Sequence, residues 1–276
     1  MRAGQPPGAA PKVGAAERSV MNRNELSSMF DLTGRVAIVT GGTRGIGRAI
    51  AEGFAAAGAQ VAVASRKADA CASTEAALRA AGGSGLGVPT HMGDLGAVRT
   101  LVDRTVDEFG RLDIVVNNAA TGLREDLGAF SPEAYDKSMD VNLRGPVFLV
   151  EAALPHLKAS PSAAVLNVLS AGAFLFSTFT ATYCAAKAAL HSFTRSWAAE
   201  FAEAGIRVNA LAPGTVLTDM VDHLDEASQE RMKRAAYLRR AATPDEMVGP
   251  ALFLCSDAAS FVTGQVLIAD GGLVPR

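Results

Sequence analysis

A glycine-rich stretch set between two kinds of hydrophobic pattern constrains this chain most. Val36–Val39 is a continuous apolar run, the mark of a strand buried on both faces. It leads straight into Thr40-Gly41-Gly42-Thr43-Arg44-Gly45-Ile46-Gly47, and a helical pattern runs from Ile46 to Ala57. Glycines here let the chain turn sharply and let its backbone approach a bound group. The helix start then presents free N–H groups and the positive end of its dipole, which suits a pyrophosphate. Isolated glycines would signal only a tight turn. Their place between a first strand and a first helix implies dinucleotide binding.

The same alternation continues along the chain. Further apolar runs are Val61–Ala64, Gly87–Thr90, Asp113–Val116, Ala164–Leu169, Ile206–Leu211 and Gln265–Ile268, separated by helix-like stretches such as Val98, Leu101, Val102 and Phe109. Continuous apolar strands separated by helices predict an α/β fold, a parallel sheet covered on both faces. Ser131-Pro132 and Thr243-Pro244-Asp245-Glu246 mark helix starts, the latter as a capping box. No linker interrupts the series, so residues 30–276 read as one doubly wound domain. Residues 1–29 are rich in Gly, Pro, Ala and Arg, lack apolar periodicity, and read as a disordered extension. They lack the apolar core of a secretory signal; Glu17 and Glu25 count against a targeting peptide, and Met21 and Met29 are alternative starts.

Composition removes other classes. Among 276 residues the net charge is -2, with no basic run, which argues against nucleic acid and anionic membranes as partners. No apolar stretch approaches the ~20 residues needed to span a bilayer. The 3 cysteines are odd in number and widely spaced, and the 4 histidines form no HExxH, so neither a disulfide framework nor a metal site is expected. That usage fits a reducing, cytoplasmic compartment.

The end of the second strand bears on the choice of cofactor. It reads Ala64-Ser65-Arg66-Lys67, with no acid to accept from an adenosine ribose. Arg66 can fork onto a 2′-phosphate, and Arg44 in the glycine loop can add a second cation. The combination favours NADP(H), with NAD(H) as the alternative. Asp94, followed by Leu95, can accept from the adenine amino group or cap a helix, or do both. Asn117-Asn118-Ala119-Ala120 offers small residues against which a cofactor can lie, though its asparagines can also close a turn. Tyr183 and Lys187 are four apart on an apparent helix, Ala181 to Ala204, and share one face. A nearby ammonium favours phenolate and should lower the tyrosine pKa toward the range of a general acid/base.

These residues resemble the short-chain dehydrogenase/reductase family over nearly all of Leu32 to Gly272. Its TGxxxGxG pattern is met by Thr40, Gly41, Gly45 and Gly47, and its Asn-Asn-Ala-Gly stretch by Asn117 to Ala120, with Ala120 in place of glycine. Its Asn-Ser-Tyr-Lys tetrad is met by Asn142, Ser170, Tyr183 and Lys187. Pro213-Gly214 through Val216 and Thr218 matches the segment that touches the nicotinamide amide. The ending Val262-Thr263-Gly264-Gln265 to Asp270-Gly271-Gly272 is also typical of the family. The nearest branches are the NADP-dependent carbonyl and retinal reductases and the 3-oxoacyl-carrier-protein reductases. The resemblance implies a Rossmann-type, seven-stranded parallel sheet in the order 3-2-1-4-5-6-7 and a homotetramer with Val147, Phe148, Val150, Phe193 and Phe201 on its apolar faces. Those five residues can equally cover the sheet.

The resemblance also implies roles. Tyr183 would exchange the proton with the substrate oxygen, Lys187 would hold the nicotinamide ribose, Ser170 would donate to the developing alkoxide, and Asn142 would hold a water linking Lys187 to solvent. Cofactor contacts are expected at Gly41, Thr43, Arg44, Gly45, Ile46, Gly47, Ser65, Arg66, Lys67, Asp94, Leu95, Asn118, Ala119, Ala120, Pro213, Gly214, Val216 and Thr218. Ser170, Gly172, Phe174, Phe176, Met220 and Leu224 are the expected substrate contacts, for an apolar ketone, aldehyde or alcohol. A subunit contact or ordinary core would use the same apolar residues. Cys184 and Trp197 read as packing residues. Reduction of a 3-oxoacyl thioester is an alternative, although Lys158-Ala159-Ser160-Pro161 and Ala202-Glu203-Ala204-Gly205 dock an acidic carrier poorly. A nucleotide-sugar epimerase would need a longer C-terminal region. A non-catalytic NADP-binding sensor would have no need of the tetrad.

Overall fold

In the computed structural model the described residues are 20–123, 128, 130–176, 180–222 and 225–274. Seven strands form one parallel sheet: β1 Val36–Thr40, β2 Gln60–Ser65, β3 Ser84–Pro89, β4 Ile114–Asn117, β5 Ala164–Val168, β6 Arg207–Pro213 and β7 Val266–Ala269. Their order is β3-β2-β1-β4-β5-β6-β7, as the family resemblance implies. Around it lie α1 Arg23–Ser28, α2 Gly45–Ala56, α3 Ala68–Ala80, α4 Leu95–Phe109, α5 Pro132–Met139, α6 Gly145–Ala159, α7 Ala181–Glu200, α8 Asp219–Asp222, α9 Glu226–Ala235 and α10 Val248–Cys255. A π-helical turn, Asp140–Arg144, joins α5 to α6.

Both faces of the sheet are apolar, and the period of two divides each strand between them. Val36 and Ile38 of β1 point into a core shared with Leu101 of α4, Leu149 of α6 and Leu190 of α7. Ala37 and Val39 point the other way, against Ile50 and Phe54 of α2 and Ala251 of α10. Each buried side chain of that size stabilises the fold by about 1.5–3 kcal/mol. The central strands read as unbroken apolar runs because neither face meets water. Among the described residues, no helix is long and apolar enough to cross a membrane.

Two segments differ from the sequence pattern. The run Gly87–Thr90 marks only the end of β3, which starts at Ser84 and pairs with β2 from Gln60↔Ser84 to Ser65↔Pro89. Gly85 and Gly87 are strand residues because a Cβ there would meet the side chain of Leu78 at 2.9 Å and the backbone of Cys71 at 2.5 Å. Glycine is the response to a close helix, and local propensity cannot show that. The disordered extension over 1–29 is also corrected in part. Residues 1–19 lie outside the described residues, but Asn22 and Glu25 close a reciprocal capping box on α1. Ala258 N then donates to Met29 O at 2.9 Å, tying the segment to the domain.

Candidate active site

Parallel strands place all their C-terminal ends at one edge, and β1 and β4 diverge there because the connections from them run in opposite directions across the sheet. That crevice is where open α/β sheets bind ligands. The glycine loop leaves β1 into it. Gly41 has φ +65° and its N–H donates to Ala64 O at 2.7 Å, which turns the loop beside the end of β2. A Cβ on Gly47 would run into Asn118 Nδ2 and the carbonyl of Gly41, so α2 packs directly on the loop. Among the described residues no side chain caps the N-terminus of α2. Its N–H groups therefore face the crevice without an internal acceptor.

Asn118 and Thr40 hold this arrangement. Thr40 Oγ1 accepts from the N–H groups of Asn118 and Ala119, both at 3.0 Å, and donates to Val116 O at 3.1 Å. Asn118 Nδ2 donates to Thr40 O at 2.8 Å. The end of β4 is thus fastened to the end of β1, and Asn118 does close a turn. Deeper in, Asn117 Nδ2 donates to Asn167 Oδ1 and Asn167 Nδ2 to Thr194 Oγ1, both at 2.9 Å. This buried chain of amides links β4, β5 and α7, and it fixes the height of α7 over the sheet.

Ser170, Tyr183 and Lys187 meet at the same edge, and the π-helical turn that carries Asn142 packs against α7. Ser170 follows β5, and its Oγ accepts from Gly172 N at 3.1 Å. Tyr183 sits half-buried on the first turn of α7 and hydrogen-bonds Ser170. Lys187, one turn on, is 2% exposed; its Nζ donates to Val168 O at 2.6 Å and lies 5.7 Å from the centre of the Tyr183 ring. Asn142 lies in the π-helical turn, fully buried. Its amide grips the Thr121 peptide from both sides at 2.9 Å and donates to Ser138 Oγ at 3.1 Å.

The electrostatics correct one expectation. The sequence spacing has Lys187 lowering the Tyr183 pKa, yet burial pushes the phenol up to about 12, with the Ser170 hydrogen bond acting the other way. Burial also pushes Lys187 down to about 8. The ammonium lies over the ring and is spent on Val168 O, so desolvation exceeds its help to the phenolate. Both N–H groups of the Asn142 side chain are engaged by protein, which leaves the oxygens of that residue as the groups able to hold a water.

The expected cofactor contacts gather along the crevice, with two qualifications. Ser65 ends β2 and Arg66 and Lys67 follow it, where both cations are exposed and form no ion pair among the described residues. Arg44 is different: its Nη1 donates to Asp219 Oδ2 at 2.7 Å. The acid that takes it lies 175 residues away, which no local pattern reveals. Asp94 is the N-cap of α4, with Oδ1 accepting from Gly96 N and Ala97 N at 2.9 and 3.1 Å, and Leu95 begins the helix. Across the crevice β6 ends at Pro213. Gly214 then passes so close to β7 that a Cβ would lie 2.7 Å from Asp270 Cα. Val216 pairs with Ala242, and Thr218 comes within contact distance of Gly45.

The expected substrate contacts assemble only in part. Gly172 lies against Ser170 Oγ and Cys184 Sγ. Phe174 packs on the core and on the His191 ring, with centroids 5.2 Å apart, while Phe176 is 93% exposed. Leu224 and the side chain of Met220 lie outside the described residues. Trp197 packs between Phe193 and Phe201, as a core residue should.

A family model described as enoyl-(acyl carrier protein) reductase matches residues 41–274. A probable galactose dehydrogenase of Rhizobium meliloti (strain 1021) is 36% identical over 251 residues, covering 90% of this chain and 98% of that protein. A short-chain dehydrogenase/reductase of Arabidopsis thaliana is 37% identical over 248 residues, covering 89% and 96%. The solved structure of a gluconate 5-dehydrogenase from Burkholderia cenocepacia J2315, in complex with NADP and tartrate, superposes with a TM-score of 0.85 at 33% identity, covering 90% of this chain and 98% of that one. The chain therefore belongs to the short-chain dehydrogenase/reductase family of oxidoreductases.

Proposed function

We propose that this enzyme uses NADP(H) to interconvert a ketone or aldehyde with an alcohol on an apolar small molecule. The observation that carries the reading is the convergence of the Ser170 hydroxyl, the Tyr183 phenol and the buried Lys187 beside an uncapped, glycine-lined helix start. The residues fit a dinucleotide. The loop lacks Cβ atoms where a pyrophosphate would approach, α2 offers free N–H groups, and Arg66 and Lys67 offer unpaired charge for a 2′-phosphate. The NADP complex of the gluconate dehydrogenase supports the same choice. A bound nicotinamide supplies the hydride.

The chain's own part is to handle the oxygen and its proton. Ser170 and Tyr183 both donate to one substrate oxygen, which suits a carbonyl becoming an alkoxide. With a value near 12 the phenol of the free enzyme is protonated at neutral pH, so it is poised to give its proton in the reductive direction. Lys187, near 8, can hold or release a proton in the working range and refill the phenol. Asn142 positions the π-helical turn through Thr121 and Ser138.

A sugar or sugar acid is the second reading, favoured by the names of the two dehydrogenase relatives. The family model's description keeps acyl thioesters in view. The deciding experiment follows NADPH absorbance with aromatic ketones, quinones, retinoids and 3-oxoacyl thioesters, and NADP⁺ reduction with gluconate and galactose. NADPH binding without turnover on any of them would favour a sensor. A homotetramer is part of the proposal. Phe148 is 39% exposed and Val147 and Phe193 are partly so, leaving an apolar face on α6 and α7, whereas Val150 and Phe201 cover the sheet. Sedimentation velocity tests it. A cytoplasmic location is part of the same proposal.

A further inference from the structure

Arg44 already holds an acid, while the two exposed cations that follow β2 form no ion pair among the described residues. It is the N-cap residue of α2, and its Nη1 contacts Asp219 Oδ2 at 2.7 Å. Asp219 opens α8 directly after Thr218, so the pair ties the glycine loop to the segment leaving β6. The two stretches touch beneath it, since a Cβ on Gly45 would lie 3.1 Å from Thr218 Cγ2. Among the described residues no other ion pair or side-chain hydrogen bond holds the pair, and the two side chains are 66% and 58% exposed. On the other flank of the loop, Gly41 N donates to Ala64 O. The residues after Ala64 are Ser65, Arg66 and Lys67.

We propose that Asp219 is an internal substitute for the adenosine 2′-phosphate, occupying Arg44 in the free enzyme and surrendering it when NADP(H) binds. The proposal rests on the NADP(H) reading above. An exposed, single-contact ion pair is weak. A phosphate carrying up to two charges beside Arg66 and Lys67 accepts a bidentate fork, so it displaces one carboxylate. Breaking the pair costs part of the binding energy of any ligand with the phosphate. A ligand without it leaves the pair intact. Asp219 is thus a specificity-determining residue that narrows the preference for NADP(H) over NAD(H), and its release unties α8 from the glycine loop only when the phosphate is present.

The test uses two adenosine ligands that cannot turn over, adenosine 2′,5′-bisphosphate and adenosine 5′-monophosphate, titrated calorimetrically into wild type, Asp219→Asn, Arg44→Ala and the double variant. Asp219→Asn should tighten the bisphosphate by about three- to fivefold and leave the monophosphate unchanged within about 1.5-fold. In the Arg44→Ala background the same substitution should do nothing to the bisphosphate. Unchanged bisphosphate affinity in Asp219→Asn would overturn the proposal. So would weaker binding of both ligands, which would make the pair a clamp over bound nucleotide, or equal tightening with and without Arg44, which would reduce Asp219 to a general negative charge. The NADP(H) reading fails by a separate result: a wild type that does not prefer the bisphosphate to the monophosphate.

Discussion

Replacing Lys187 by methionine should stop turnover and yet stabilise the free protein near neutral pH. Lys187 is 2% exposed, and its described hydrogen bond is to the carbonyl of Val168. Burial lowers its pKa from 10.5 to about 8. The unfolded chain therefore holds this proton more tightly than the folded one, and stability rises with pH between about 8 and 10.5. Below 8 both states are protonated and the folded state bears the full cost, about 3 kcal/mol. Methionine of similar length binds no proton and packs without a charge. It also forfeits the bond to Val168, worth roughly 1 kcal/mol. At pH 7 the net gain should be about 1–2 kcal/mol. Most of the wild type's deficit should vanish by pH 10, so the difference between the two proteins should shift by about 2 kcal/mol over that range. Urea midpoints of the cofactor-free enzymes at pH 7, 8, 9 and 10, at one protein concentration, read this directly. Parallel pH profiles would refute the reasoning, because they would mean that Lys187 is not depressed by its burial.

Tyr183→Phe should lower kcat by about 10²–10⁴-fold while cofactor affinity by fluorescence titration stays within about twofold; retained turnover would remove the proposed acid/base. In the same variant, stability between pH 10 and 12 should fall less steeply than in wild type. The raised phenol pKa stabilises the fold below 10 and that contribution is lost as pH climbs to about 12. Arg66→Asp should weaken NADPH by about 10–100-fold and spare NADH, as expected for losing a charge-assisted contact; equal loss for both would contradict the 2′-phosphate assignment. Gly47→Ala forces a methyl group into Asn118 and the Gly41 carbonyl. It should cost about 1–3 kcal/mol in thermal or urea unfolding and abolish nucleotide binding, whereas a wild-type-like titration would show that the loop yields.

Much of the site was legible because it is written in local grammar. Gly41, Gly45 and Gly47 reveal a turn onto a helix start, and Tyr183 and Lys187 share a face by helical period alone. What stayed hidden depends on partners far away along the chain. Thr40 was visible as part of the glycine pattern, but its role as the peg for Asn118 and Ala119 depends on β1 lying beside β4. Asn167 and Thr194 look like ordinary polar residues until the sheet and α7 bring them together. Asp219 gives no sign in sequence that it holds Arg44. The start of β3 was missed because Ser84-Gly85 has no strand propensity, and pairing with β2 overrides it.

The sequence by itself determined the class of fold and the place of the glycine loop and singled out the proposed reacting residues, since apolar periodicity, glycine placement and i,i+4 spacing act over a few residues at a time. Only the tertiary structure decided the charge state of those residues. How strongly Tyr183 and Lys187 are desolvated, and which carbonyl or acid claims Lys187 and Arg44, depend on strands and helices brought together from distant parts of the chain. Solvation is a property of that packed surrounding, so the phenol that spacing alone would acidify is instead held protonated.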